Sequence, residues 1–252
     1  MVTIMLADSH AHLHSFADLK GVVGRAKAAG VSRIITNSTS PQDIPQDIAI
    51  SKEFPSVLCA IGIHPSELLS LSEAEISKGI KMVEKNVKFA SAIGEIGLDF
   101  KHAKTDAERA IQERFFREFI RLAIKNKKPV CVHARYAETR CLDILEEEGA
   151  KKVHMHWFTN SKKTASRAIS LGYYISCGPI ILSDEQSAEV VKSIPLENLL
   201  LETDSPVPFM GRDSEPSWIP RVCAKVAQLK GIKELEIEKR TGANFTALFG
   251  EK

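Results

Sequence analysis

Short apolar or β-branched runs alternate with longer amphipathic stretches along the whole of this chain, with no glycine- or proline-rich linker between them. That alternation restricts the fold to repeated βα units around a parallel sheet. Eight runs read as strands: Ile4–Ala7, Arg33–Asn37, Val57–Gly62, Phe89–Gly94, Pro129–Val132, Lys152–His156, Tyr173–Ser176 and Asn198–Glu202. Helices are expected over Asp18–Ala29, Ser72–Asn86, Ala107–Asn126, Glu138–Glu148, Lys162–Ser170, Asp184–Ser193 and Pro216–Leu229, several of them ending at Gly, Asn or Lys. Eight units in 252 residues predict an α/β fold consisting of one (β/α)8 TIM-like barrel over residues 1–252, because such barrels take about 250 residues. A dinucleotide-binding sheet is disfavoured, since no Gly-x-Gly-x-x-Gly follows the first strand. The Pro- and Ser-containing stretch 204–218 reads as a loop after the eighth strand.

In a barrel of this kind the functional site lies at the C-terminal ends of the strands, and metal-binding side chains gather there. His10 and His12 follow the first strand in Asp8-Ser9-His10-Ala11-His12, and alternate residues of a strand point the same way. His64 follows the third strand, Glu95 the fourth, His133 the fifth, His154 and His156 close the sixth, and Glu202 and Asp204 end the eighth. Six of the eight histidines thus stand at strand ends. One tetrahedral ion uses three or four protein ligands, so this donor set predicts two divalent ions. A Glu95 bridge would hold them about 3.5–4 Å apart, the spacing of two-metal hydrolytic sites. Imidazole suits zinc, manganese or another transition ion better than magnesium, and the residues leave Mg, Mn and Zn open.

Six motifs occur in order: Asp-x-His-x-His, Gly-Ile-His-Pro, Gly-Glu-Ile-Gly-Leu-Asp, Val-His-Ala-Arg, His-x-Phe and Leu-Leu-Glu-Thr-Asp-Ser-Pro. Together with Thr241-Gly242-Ala243-Asn244-Phe245 and Leu248-Phe249, they resemble the TatD-type metal-dependent deoxyribonucleases of the amidohydrolase superfamily over nearly the whole chain. The resemblance implies hydrolysis of phosphodiester bonds in DNA, from an end or on single strands, with divalent metals at the barrel mouth. It implies that His10, His12 and Asp204 hold one metal, His133 and His156 the other, and that Glu95 bridges them. His64 and Arg135 would meet the substrate phosphate. The chemistry of these groups agrees: Asp204 can accept a proton from the attacking water, Arg135 offers a fork of donors, and His64 can give a hydrogen bond or a proton. Asp204, Glu95 and His64 are accordingly the expected catalytic residues, with Glu202 an optional ligand of a further ion. Asp8 is expected either to orient a ligand histidine or to close the strand end. The chain departs from the family pattern at Ser214-Glu215-Pro216, and at Trp157, where a small residue or cysteine is usual.

The remaining features set limits. Lys and Arg number 34 against 32 acidic residues, so the net charge of +2 gives no global case for nucleic-acid binding. Local contacts would have to come from Lys101, Lys104, Lys162, Lys163, Arg167 and Arg212, with Trp157, Phe158, Phe209 and Trp218 available to stack bases, although Phe158 fits core packing better. His154 is expected in the core or behind the ligands, and His14 and His102 in solvent, His102 near substrate. The five cysteines lack CxxC spacing and read as buried free thiols. Without a signal-like or membrane-spanning run, a soluble cytoplasmic protein, monomeric by preference, is expected. Two other readings stay open: a hydrolase of an ester or amide bond, such as an aminoacyl-tRNA deacylase, and a non-catalytic nucleic-acid-binding barrel.

Overall fold

The computed structural model describes residues 5–159 and 161–250, so Ile4, the expected start of the first strand, lies outside the described residues. Eight strands form one parallel sheet in sequence order: β1 (Leu6–Ala11), β2 (Val31–Asn37), β3 (Val57–Ile61), β4 (Ala92–Asp99), β5 (Val130–Arg135), β6 (Val153–Met155), β7 (Tyr174–Cys177) and β8 (Leu199–Leu201). The sheet curls until its two edges meet. Ala11 bridges Ser205 in parallel register, the His12 N–H donates to the Ser205 carbonyl at 2.7 Å, and the Asp204 N–H donates to the His10 carbonyl at 2.9 Å. The fully buried Asp8 carboxylate completes this seam by accepting the Thr203 N–H and hydroxyl and the His10 N–H. The residues that close the barrel are thus neighbours of those expected to do its chemistry.

Nine helices alternate with the strands among the described residues: α1 (Leu19–Ala28), α2 (Asp43–Glu53), α3 (Glu73–Asn86), α4 (Asp106–Lys125), α5 (Glu138–Glu147), α6 (Lys162–Ser170), α7 (Glu185–Ser193), α8 (Ile219–Lys230) and α9 (Glu234–Phe249). Capping boxes start α3 (Ser72 with Glu75) and α4 (Thr105 with Glu108). Sequence periodicity passes over α2 because Pro45 falls inside it, yet a first-turn proline removes no intrahelical bond. It also passes over α9. This helix packs Phe245, Leu248 and Phe249 against Ala7, Ile35, Ala60, Ala92, Cys131 and Leu200 of the strands, and so stoppers the barrel below the histidines. Asn244 fixes its position by donating to the Leu196 and Leu199 carbonyls.

The strand positions need three corrections. β1 runs on through Asp8 and His10 to Ala11, and β5 runs on to Arg135. Phe89 belongs to a 3-10 turn, Val87–Phe89, and β4 begins only at Ala92 but continues to Asp99, which puts Glu95 within the strand. The extended Gly-Glu-Ile-Gly segment is possible because of its glycines: Gly97 has φ +144°, and a Cβ there would lie 2.0 Å from the His133 carbonyl oxygen. All five cysteines are buried and free, and no helix among the described residues is long and apolar enough to cross a membrane.

Candidate metal centre

Side chains from the C-terminal ends of five strands gather around Glu95 of β4. Its Oε2 lies 3.3 Å from His10 Nε2 and 3.5 Å from His12 Nε2, and its Oε1 lies 2.8 Å from His133 Nδ1 and 2.9 Å from His156 Nε2. Each oxygen therefore faces its own pair of imidazoles, whose nitrogens are 3.3 Å apart in His10–His12 and 3.2 Å apart in His133–His156. Asp204, with φ +51° at the turn after β8, brings Oδ1 within 3.2 Å of His12 Nε2 and 3.5 Å of His10 Nε2. All six expected metal residues are thus in one cluster. The groups His10–His12–Glu95 and His64–Glu95–His133 each offer ligand atoms within 4.8 Å of one another, as does His10–His156–Glu202.

The donor set fits divalent cations. The buried Glu95 carboxylate, the partly exposed Asp204 carboxylate and four imidazoles aim their O and N atoms toward common points with no Lys or Arg among them, and such a concentration of ligand atoms suits a positive ion. The ionisation of the cluster shows the same demand. Burial opposes charge on Glu95, but His156, His64 and His10 outweigh it and hold the carboxyl well below its ordinary range. Burial is likewise overcome at His12, which Asp204 and Glu95 push up to about 9, and at His156 and His133, both raised. His10 moves the other way, because burial and the neighbouring His156 disfavour its charge. Ring orientation is fixed from behind at His12, whose Nδ1–H donates to the Asn37 carbonyl at 2.8 Å and points Nε2 at the carboxylates.

His64 is built differently. Its Nδ1 accepts from the Ser66 N–H at 3.2 Å and from the Ser66 hydroxyl at 2.7 Å, so the neutral ring carries its proton on Nε2, 3.5 Å from Glu95 Oε1. Burial and His133 press its pKa down to about 3, which keeps it neutral. Ser66 is a residue that sequence reading missed, and its only signal is its place two residues after His64. Asp99 is another. Its carboxylate lies 3.5 Å from His133 Nε2, accepts His102 Nδ1 at 2.7 Å, and stays ionised because these two histidines outweigh its burial.

Below the centre, the Ser176 hydroxyl donates to Glu202 Oε2 and accepts from His154 Nε2 at 2.7 Å. Glu202 Oε1 accepts the Trp157 N–H at 2.7 Å, so both oxygens of this buried carboxylate already have protein donors. His154 is in the core, as expected. Asp8 closes the seam and meets the backbone of His10, not its ring.

Three expectations are corrected. His14 is not in solvent: its Nδ1 donates to the fully buried Asp47, which also receives the Thr36 and Ser38 hydroxyls, because the turn after β1 folds against α2. Arg167 and Lys162 are engaged by acidic residues of neighbouring helices, Arg167 by Asp143 and Glu146 and Lys162 by Glu189. Phe209 is buried and Trp218 lies under Arg221, so neither is free to stack a base, while Phe158 is in the core as expected. His102 is half exposed, and Lys101, Lys104, Lys163 and Arg212 are exposed. Glu215 of the divergent Ser214-Glu215-Pro216 segment pairs with Arg25 of α1. The mouth opens into a cleft of 590 Å³ whose wall includes His64, Arg135, Tyr136, Trp157, Asp204 and Val207.

Fold and site together define an eight-stranded α/β barrel with a histidine–carboxylate centre at its C-terminal mouth. A family profile described as TatD related DNase matches residues 7–250. The chain therefore belongs to the TatD family. It is 36% identical over 256 residues to an uncharacterized metal-dependent hydrolase, YabD, of Bacillus subtilis, covering 97% of this chain and 99% of that one. To the human deoxyribonuclease TATDN3 it is 31% identical over 258 residues, covering 97% and 94%. The crystal structure of YjjV, a TatD homolog from Escherichia coli K12, superposes with a TM-score of 0.88 at 26% identity over 99% of each chain.

Proposed function

We propose that this protein is a metal-dependent phosphodiesterase that removes nucleotides from single-stranded or frayed ends of DNA. The observation that carries the reading is the placing of Glu95 between two imidazole pairs, with His64 Nε2–H and Arg135 in the same cleft. The family match and the deoxyribonuclease name of a relative support the bond type. Glu95 would be shared by two ions, one held with His10, His12 and Asp204 and the other with His133 and His156. Divalent ions bound there supply Lewis acidity, lowering the pKa of water and offsetting charge on the phosphoryl oxygens.

The chain's own residues then divide the remaining work. Arg135 holds a non-bridging phosphate oxygen through its planar fork. His64 gives a hydrogen bond, not a proton, because its neutral Nε2–H form is fixed by Ser66 and nearby cations disfavour its charging further. Asp204 accepts the proton of the attacking water as that water's oxygen bonds to phosphorus and the P–O ester bond breaks, the departing alcohol oxygen taking its proton from solvent in the open cleft. Asp99 stands behind His133, and Glu202, 3.7 Å from His156 Nδ1, stands behind that ring.

The test is release of nucleotides from 5′- and 3′-labelled single-stranded oligonucleotides by metal-stripped protein resupplied with Mg, Mn, Zn or Co, beside Asp204→Asn. Metal-dependent cleavage that the variant loses, with its circular dichroism intact, is expected. Hydrolysis of a simple ester with no oligonucleotide cleaved by any ion, despite two bound equivalents, would overturn it.

A further inference from the structure

The cleft carries two aromatic side chains for which hydrolysis itself has no use. Tyr136 follows Arg135 at the end of β5 and is 74% exposed, while Trp157 follows His156 just beyond β6 and is half-buried. Both line the cleft beside Arg135 and the imidazoles. Both also have left-handed backbones, φ +57° for Tyr136 and +41° for Trp157, which bulky residues seldom adopt and which gather at ligand-binding positions. The Trp157 turn is held in place by the Glu202 carboxylate on its N–H. Its indole rests against the loop after β7, where a Cβ built on Gly178 would stand 3.5 Å from ring atoms Cε3 and Cζ3. Phe158, the next residue, turns into the core. The chain thus keeps one aromatic of this pair at the cleft and buries the other.

We propose, building on the phosphodiesterase reading, that Trp157 and Tyr136 form the base-binding wall of the cleft and stack the nucleobase attached to the phosphodiester that Arg135 holds. The ligand class is a polynucleotide with unpaired bases. A base within a duplex already has both faces covered by its neighbours, whereas a single-stranded base offers a free π-face, and every base offers one. Apolar surface left open beside a cationic side chain suits a ligand that is anionic on one side and aromatic on the other.

The chain has two tryptophans, so Trp218→Phe leaves Trp157 as the sole indole reporter. Magnesium-supplied protein in that background is titrated with a phosphorothioate-linked single strand, and with the same strand made abasic at its terminal positions, binding being followed by anisotropy of a distal dye. The normal strand is expected to quench Trp157 emission saturably and the abasic strand to bind about 5–150-fold more weakly without quenching. Trp157→Leu and Tyr136→Leu should each weaken the normal strand by a factor in that range and leave the abasic strand unchanged. Equal losses on both strands, binding without quenching, or no binding of either strand would overturn the proposal. In a parallel cleavage assay, an ordinary phosphodiester strand of the same sequence that binds and quenches but is never cleaved overturns the hydrolytic reading and leaves stacking intact; cleavage indifferent to the bases does the reverse.

Discussion

Replacing Asp8 separates the role of its shape from that of its charge. Its Oδ1 accepts two backbone N–H groups, those of His10 and Thr203, while Oδ2 meets only the Thr203 hydroxyl, which can rotate. Asp8→Ala leaves two buried N–H groups without partners at a site with no solvent access. At about 1–3 kcal/mol each, the loss is about 2–6 kcal/mol, or about 4–24 °C in Tm for a chain of this size. Asp8→Asn keeps Oδ1 and turns its new amide donor toward the Thr203 oxygen, so a cost below about 1 kcal/mol is expected. Burial pushes the Asp8 carboxyl up to about 8 from its ordinary 3.8. Between those values the folded state keeps a proton that the unfolded chain has released, so wild-type stability falls as pH rises. Asparagine cannot ionise, and its margin relative to wild type should improve from pH 5 to pH 8. Thermal and urea unfolding of metal-stripped proteins, read by circular dichroism at both pH values, measure this. An asparagine variant as damaged as the alanine one, or a margin that does not move with pH, would refute the reasoning.

Other expectations follow from the same geometry. Asp99→Asn weakens the hold on His133 and should lower metal affinity about 10–100-fold, measured by competition with a chelator, whereas a purely local role for Asp99 predicts no change. Arg135→Lys removes the bidentate fork and should raise KM about tenfold with kcat nearly unchanged; a loss confined to kcat in steady-state assays would count against a binding role. Resupplying a divalent ion at about 100 times its Kd should stabilise the stripped protein by about 2.7 kcal/mol, or about 5–11 °C in Tm. Glu95→Gln should lose most of that gain, and scanning calorimetry showing an equal gain in the variant would remove Glu95 from the centre.

The order of strands and the roster of candidate donors were legible in the sequence because both are local signals. A run such as Val57–Ile61 announces a buried strand by its composition, and barrel geometry then assigns each strand-end histidine to the mouth. The same local reading missed α2, α9 and the true start of β4, where a first-turn proline, a helix recognised by what it stoppers and an apolar residue left outside its strand blur the pattern. It also placed His14 in solvent, because nothing near His14 points to Asp47, thirty-three residues away.

What the sequence alone determined is therefore the βα period, the TatD motifs and which side chains stand at strand ends. Tertiary structure decided the rest: that Asp8 meets Thr203 across 195 residues to close the barrel, that Ser66 sets the proton of His64 on Nε2, and that Trp157 faces the cleft while Phe158 enters the core. The physical reason is one of range. Strand and helix periods come from neighbouring residues along the chain, whereas seams, tautomers and cleft walls come from groups that become neighbours only when the barrel shuts.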